Sequence, residues 1–403
     1  MTEHVILADD LSGACESAAA ALLRTTRIRV QLDTAAISAP LPAGQDVARV
    51  VAVDLDTRRA AAGDVAAEVE RVGRLVDPGT LVVVKVDSIL RGRPDVLVAA
   101  VRETLGSSGL PVLAVVCPAT PALGRTVVGG VVHVDGTPLP LTDLWRAEAQ
   151  AAPSSVAEAL GAPGADVVPL DVVRGPREVL AAALAAAATS GLVVCDAEAE
   201  ADLDAVVAAA VAVPGVRPVL VGAGGIAGAA SRSLPADQAP DASPTPSAES
   251  VLVVVGSAAP LLAQEVEALR DSGAHLIDLA VAELVDGRAS LSIPGTGVTV
   301  VRPEPSAVDP TVSARLVDAL AAAVAPAAGS AEALVLTGGE TARAVLTRLG
   351  THHLVPLTAT GGAVTSRADD GRLVVTRPGS FGGAHSLAAI VSTLTTRAPK
   401  EPT

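Results

Sequence analysis

The sequence predicts an α/β protein of two domains, each a largely parallel sheet flanked by helices. Three observations predict it. Short apolar runs recur along the chain, most of them bounded by Gly, Pro or Asp. Helix-like stretches, many rich in alanine, lie between several of them. One long segment, 233–250, breaks the alternation. Continuous apolar strands separated by helices describe a parallel sheet covered on both faces, because a strand buried on two sides has no reason to alternate polar and apolar residues. Such sheets gather ligand groups at the carboxyl ends of their strands.

In chain order, "HVILAD", "ARVVAVD", "LVVVKVD", "PVLAVVC", "GLVVCD" and "RPVLVG" read as strands, and segments such as 64–76 and 94–105 as helices between them. "SLPADQAPDASPTPSAES" is rich in Pro, Ser, Ala and Asp with little to bury, and reads as an interdomain linker. A second alternation follows with "VLVVVGS", "ALVLTGGE" and "RLVVTRPGSFGG". This places one domain at 1–232, a linker at 233–250 and a second domain at 251–403, with no internal repeat.

The bulk composition excludes several classes. Half the residues are hydrophobic, but there is one Phe, one Trp and no Tyr, so the core is aliphatic. A formal net charge of −15 argues against a nucleic-acid partner, which needs a basic face. Small anionic ligands need only a local cation cluster. The uncharged stretch Val179–Cys195 is broken by Thr189, Ser190 and Gly191 and reads as helix then strand, not as a membrane span. The start, MTEHVILADD, turns acidic without a basic region, so no signal peptide is expected. Cys15, Cys117 and Cys195 are odd in number and far apart, which fits a reducing cytoplasm.

Polar groups cluster where strands are predicted to end. "ILADDLSGA" carries Asp9, Asp10, Ser12 and Gly13, able to hold hydroxyls or a metal; alternatively Asp10 or Ser12 only caps the helix. "VDLDTRRA" brings Asp54, Asp56 and Arg58, a weak signal alone. "KVDSILRGRP" packs Lys85, Asp87, Ser88 and Arg91 into seven residues. Two cations could pair with a carboxylate while Asp87 accepts from hydroxyls, the pattern of an anionic polyol site. A plain Lys–Asp surface pair is the alternative. Lys85 is conspicuous because, among 29 basic residues, only it and Lys400 are lysines. Downstream, Arg125 precedes a hairpin turned at Asp135–Gly136.

The second half has glycine turns at three predicted strand ends: Gly256–Ser257, Gly338–Gly339 entering a helix at Glu340–Thr341, and Gly379 to Gly383 around Phe381 and Gly382. Strand, glycine turn and helix present backbone N–H groups to phosphate, so three such turns favour a nucleotide site. Phe381 either packs its loop or contacts an adenine. There is no P-loop motif. A competing signal is Gly222, Gly224 and Ala227 after "RPVLVG", the spacing of a dinucleotide fingerprint, but the acidic residue it needs falls in the linker. An NAD-dependent oxidoreductase is therefore the rival reading, beside a non-catalytic sugar-acid sensor on the same fold.

Together these stretches resemble the four-carbon acid sugar kinase family. The matching segments are "ADDLSGA", "LDTR", "KVDSILRG", "PALGRTVVGG", "VGS", "GGETA" and "GSFGG", in order from residue 8 to 383. The resemblance implies ATP-dependent phosphorylation of the terminal hydroxyl of a tetronate or 3-oxo-tetronate, with Mg²⁺. It also implies an N-terminal acid-sugar domain and a C-terminal nucleotide domain that close on each other. By this resemblance Asp9, Asp10 and Asp87 are the catalytic candidates: they would orient the hydroxyls, and one of them could be the base, with no choice among the three made from sequence. Ser12, Arg58, Lys85, Ser88, Arg91 and Arg125 would bind the sugar. Ser257, Gly338, Gly339, Glu340, Thr341, Gly379, Phe381, Gly382 and Gly383 would bind ATP. The chain departs from the family pattern at Ser12 (usually Thr), Ile89 (Thr), Arg93 (Asn) and Arg377 (Lys), and has "ATGGAV" in place of a Gly-x-Pro turn near residue 361. The partners expected are a small acid sugar and ATP, with no nucleic acid and no membrane, and a homodimer is compatible with this reading.

Overall fold

The structure is a computed structural model. It describes residues 3–41, 48–107, 109–146, 148, 150–237, 247–256, 260–304, 313–379 and 386–395. The chain divides into two units, residues 1–29 with 34–239 and residues 30–33 with 240–403.

In the first unit the strands are β1 (His4–Ala8), β3 (Val50–Asp54), β4 (Leu81–Lys85), β5 (Val112–Cys117), β9 (Asp166–Val168), β10 (Leu192–Cys195) and β11 (Arg217–Gly222); β2 (Ile28–Gln31) lies between β1 and β3 in the chain. They order as β3-β1-β4-β11-β5-β10-β9, and every pairing is parallel. β1, β3, β4, β5 and β11 are buried along their whole length, as expected of Val-rich strands covered on both faces. The helices are α1 (Leu11–Ala19), α2 (Ala62–Gly73), α3 (Pro94–Gly106), α4 (Val156–Ala159), α5 (Leu170–Val173), α6 (Arg177–Ala186), α7 (Glu200–Ala210) and α8 (Gly224–Ser233). α3 starts at Pro94, whose missing N–H has no helical partner to lose. A small antiparallel sheet, β6 (Arg125–Val128), β7 (Val131–Val134) and β8 (Thr137–Pro138), follows β5. It turns at Gly129–Gly130 and at Asp135–Gly136, all four residues at positive φ. Asp196 accepts hydrogen bonds from the amides of Gly129 and Gly130 at 2.8 and 2.9 Å.

The second unit has β12 (Ser250–Val255), β13 (His275–Leu279), β14 (Gly297–Pro303), β15 (Ala333–Thr337), β16 (His353–Thr360), β17 (Ala363–Ala368) and β18 (Leu373–Arg377). Its helices are α9 (Pro260–Asp271), α10 (Val281–Val285), α11 (Ser313–Ser330), α12 (Gly339–Arg348) and α13 (Ser386–Thr395). β13-β14-β12-β15-β18 run parallel. β17 and β16 then pair antiparallel, and Val30 and Gln31 add antiparallel to β16. The core on one face is Val and Leu, including Val253, Leu262, Val266, Val335, Val375 and Leu387.

Two-domain α/β architecture with largely parallel sheets is thus the fold, and the antiparallel end of the second sheet is the part the strand pattern left out. The stretch 233–250 is structured at both ends. Asp237 forms ion pairs with Arg27 and Arg49 at 3.0 and 3.1 Å, and Ser250 opens β12. Residues 238–246 lie outside the described residues.

Candidate active site

The polar residues predicted in the first unit gather at the carboxyl ends of β3, β1, β4 and β5. β1 ends in Asp9 and Asp10. Asp10 caps α1, accepting from the Gly13 amide at 2.9 Å, so the capping reading holds for one of its oxygens. Its other oxygen accepts from Arg58 at 2.9 Å. Arg58, just beyond β3, also forms a bidentate pair with Asp9, both contacts 2.9 Å. Its guanidinium lies 3.9 Å from Asp87. Arg58 is therefore a clamp on the carboxylates: three of its donors are engaged before any ligand arrives.

The loop after β4 is shaped by Asp87, whose Oδ2 accepts from the Ile89 and Arg91 amides at 3.2 and 3.3 Å. Arg91 grips the same carboxylate through Nε and Nη2 at 2.9 and 2.7 Å. The turn forces Leu90 to φ 65°, a conformation that costs a non-glycine residue free energy. Gly92 follows at φ 87°, where a Cβ would sit 3.1 Å from the Arg58 carbonyl. Ser88 accepts from Arg125 at 2.6 Å, which brings the residue after β5 back over this loop. Trp145 donates to the Ile89 carbonyl at 2.9 Å from outside.

Lys85, the last residue of β4, is 5% exposed. Its ammonium donates to the Val86 carbonyl at 3.0 Å. A Cβ on Gly13 would lie 2.9 Å from this nitrogen and 2.7 Å from Asp10 Oδ1, so the ammonium rests against the first turn of α1. Ser12 in that turn is buried, and its hydroxyl has no hydrogen-bond partner among the described residues.

The carboxylates differ in basicity. Burial pushes the Asp9 carboxyl above its usual range, against the pull of Arg58 and Lys85. Burial also pushes on Asp87, but the Arg91 hydrogen bonds and the charges of Arg58, Arg91 and Lys85 overcome it and hold the group well below that range.

One residue that sequence reasoning missed is Glu16. A Cβ on Gly224 would lie 2.6 Å from its Oε1, so this carboxylate reaches over the amino end of α8. Its position one helical turn after Ser12 was the available signal. The rival fingerprint, Gly222, Gly224 and Ala227, has a packing explanation. A Cβ at Gly222 would collide with the Cys117 carbonyl, and one at Gly225 with the Ala119 carbonyl; Ala227 is buried. These small residues let β11 and α8 approach the end of β5.

In the second unit the three glycine turns follow β12, β15 and β18, which are neighbours in the sheet. Gly338 adopts φ 90°, which favours glycine, and its amide donates to the Arg377 carbonyl at 2.9 Å. Gly339 begins α12, with Glu340 and Thr341 in its first turn. A Cβ on Gly256 would collide with the Thr341 side chain, which ties the β12 turn to α12. Gly379 follows β18. Ser257, Phe381, Gly382 and Gly383 lie outside the described residues.

A family model described as a sugar-binding N-terminal domain matches residues 4–230. A second, described as a nucleotide-binding C-terminal domain, matches residues 298–387. The chain is 35% identical over 413 residues to a D-threonate kinase of Cupriavidus necator, covering 95% of this chain and 96% of that one. It belongs to the four-carbon acid sugar kinase family. A D-threonate kinase of Bordetella bronchiseptica is 33% identical, with 94% of each chain covered. A D-erythronate kinase of Heliobacterium modesticaldum is 30% identical over 215 residues, 51% of this chain and 47% of that one. Among solved structures, a Salmonella typhimurium LT2 protein shares the fold with a TM-score of 0.73 at 19% identity, over 97% of this chain and 99% of that one. A Haemophilus influenzae protein shares it at 0.67 and 16% identity, over 96% and 100%.

Where this acid sugar kinase family member departs from the family pattern, the structure gives local reasons at three positions. Ile89 is buried and serves the core. Arg93 turns outward to pair with Asp95 at 3.3 Å. Arg377 is buried and pairs with the fully buried Glu265 at 3.0 Å. Among the described residues there is no dedicated protein cage for the Mg²⁺ that the family resemblance implies. Asp9 and Asp10 are bonded to Arg58 and Asp87 to Arg91, and no cluster of three metal-ligating residues occurs among the described residues. No protein ligand is therefore assigned to it. No described helix is long and apolar enough to cross a membrane.

Proposed function

We propose that this protein transfers the γ-phosphoryl group of ATP to the terminal hydroxyl of a four-carbon acid sugar, with D-threonate the first substrate to test. The observation that carries this is the site itself: three carboxylates and four cations, far apart in sequence, converge at the ends of four strands within the unit that matches the sugar-binding model. An acid sugar presents a carboxylate and several hydroxyls, and such a cluster complements both.

In this reading the terminal oxygen attacks the γ-phosphorus. The new O–P bond forms as the bond to the departing ADP oxygen breaks, and ADP leaves with that electron pair. The hydroxyl proton passes to a site carboxylate. Asp87 is the poorest acceptor, since its oxygens already take four hydrogen bonds from Arg91 and the loop amides. Asp9, whose burial raises its basicity, is the better one, and Asp10 beside it takes two hydrogen bonds rather than four. ATP would lie on the second unit, its phosphates against the turns at Gly256, Gly338–Gly339 and Gly379. Glu340, an acceptor only, suits ribose hydroxyls. Phosphoryl transfer asks mainly for positioning and charge neutralisation.

The test is ADP release in a coupled assay with ATP, Mg²⁺ and a panel of D-threonate, L-threonate, D-erythronate and 3-oxo-tetronates. Turnover on at least one tetronate is expected. If ADP formation stays at the no-sugar blank with every one of them, the proposal fails.

A further inference from the structure

We infer that Lys85 and the amino end of α1 form the phosphoryl end of the acid-sugar site, so that the substrate lies with its reacting hydroxyl beside Asp9 and Asp10 and its carboxylate toward Ser88 and Arg125. The inference rests on the kinase reading above and assigns a direction to the substrate within it.

The first ground is the state of Lys85. An ammonium has three donors and no acceptor, and here one donor is engaged, by the Val86 carbonyl. No carboxylate of the described residues lies within ion-pairing distance of it, although Asp9 and Asp87 feel its charge. A buried cation in that state is costly unless an anion joins it.

The second ground is what Lys85 faces. Its nitrogen abuts Gly13 in the first turn of α1, the positive end of that helix. The amides of Leu11 and Ser12 precede the first intrahelical bond and have no acceptor among the described residues. The Ser12 hydroxyl, on a residue 8% exposed, has no partner there either. The two remaining donors of the ammonium, these two amides and the hydroxyl thus lie in or against the first turn of α1 with hydrogen-bonding capacity unused. A cation and a helix amino end are pressed together there beside the Asp10 carboxylate, which the Gly13 amide and Arg58 already engage, so a further anion meets unused donors.

The third ground selects the anion. The donors are of three kinds and do not form a planar fork, which suits the three peripheral oxygens of a phosphoryl group. A planar carboxylate is better matched by a guanidinium, and Arg125 stands over Ser88 for that purpose. The accepting carboxylate must also lie within hydrogen-bond reach of the oxygen that is phosphorylated. Asp10 Oδ1 and Lys85 Nζ flank the same point beside Gly13, at 2.7 and 2.9 Å. A hydroxyl that gives its proton to Asp9 or Asp10 therefore receives its phosphoryl group beside Lys85.

The experiment is calorimetric titration of wild type and Lys85→Met with D-threonate and with its 4-phosphate, alongside steady-state kinetics. Lys85→Met should weaken the 4-phosphate at least tenfold and D-threonate by less than threefold, with kcat falling far more than KM rises. Arg125→Gln should weaken both ligands alike, since both carry the carboxylate. Equal weakening of both ligands by Lys85→Met would place the carboxylate on Lys85 and overturn the orientation. If Lys85→Met does not fold, Gly13→Ala takes its place: it crowds the ammonium without removing it, and the same selective loss is expected. A wild type that releases no ADP with any tetronate sinks the kinase reading itself. A wild type that turns over while the variants lose both ligands alike sinks only the direction.

Discussion

A chain that uses arginine almost everywhere retains lysine at the end of β4, and the space around Gly13 gives a reason. With Nζ pressed against the first turn of α1, a guanidinium, larger and fixed in a plane, has nowhere to go without displacing Asp10 or the helix. Lys85→Arg should fold and bind ATP as wild type does, yet lose about tenfold or more in kcat/KM, about 1.4 kcal/mol of transition-state stabilisation. Steady-state kinetics on the best tetronate decide it, and near wild-type turnover would mean the site has room that the packing denies. At this scale the sequence pointed to the candidate residues but not to what each one touches. Lys85, Asp87 and Arg91 lie within one short segment, so their convergence was readable. Arg58 is 48 and 49 residues from its two carboxylate partners, a distance only the β3-β1 pairing closes. Ile89 looked like a departure from a polar family position, and burial makes it an ordinary core residue.

At the scale of elements, six strands of the first unit were legible as apolar runs, whereas β2 and the short, largely exposed β9 were not, and strand ends marked by Asp or Gly pointed to the candidate cluster. The antiparallel edge of the second sheet was not, since residues 30–33 leave the first unit's stretch of chain to pair with β16, and nothing local encodes such a partner. The pairing of Arg377 with Glu265 was equally hidden. Glu265 sits on α9, Arg377 at the end of β18, and the Ser386 hydroxyl at the start of α13 donates to Glu265. One buried carboxylate therefore ties together the two elements that bracket the last glycine loop. Removing one partner leaves a buried charge uncompensated, whereas replacing both with apolar groups does not. Glu265→Ala should cost about 3–5 kcal/mol in urea unfolding, and Glu265→Leu with Arg377→Met should cost less than Glu265→Ala alone. Equal losses in the single and double variants would show that packing volume, not charge, is what the pair supplies.

On the scale of the whole molecule, the kinase reading divides labour between two units, and the chain carries a probe of that division. Trp145 is its one tryptophan, and it donates to the backbone of Ile89 inside the Asp87–Arg91 loop. That loop holds its turn through Asp87, so a sugar acid drawn onto Ser88, Arg91 or Arg125 must disturb the hydrogen bonds around it. The indole is half-buried there, where its emission is sensitive to such a change. The glycine turns proposed for ATP belong to the other unit, which contains no tryptophan. Titration with D-threonate alone should therefore shift Trp145 emission saturably, with a midpoint that matches calorimetry. ATP alone should bind by calorimetry and leave the emission within a few per cent of its starting value. Asp87→Asn weakens the Arg91 clamp and should change the emission of the free protein, which checks that the indole reports on this loop. Should ATP alone produce the same shift as the sugar acid, the nucleotide would be reaching the first unit, and the assignment of one ligand to each unit would have to be abandoned.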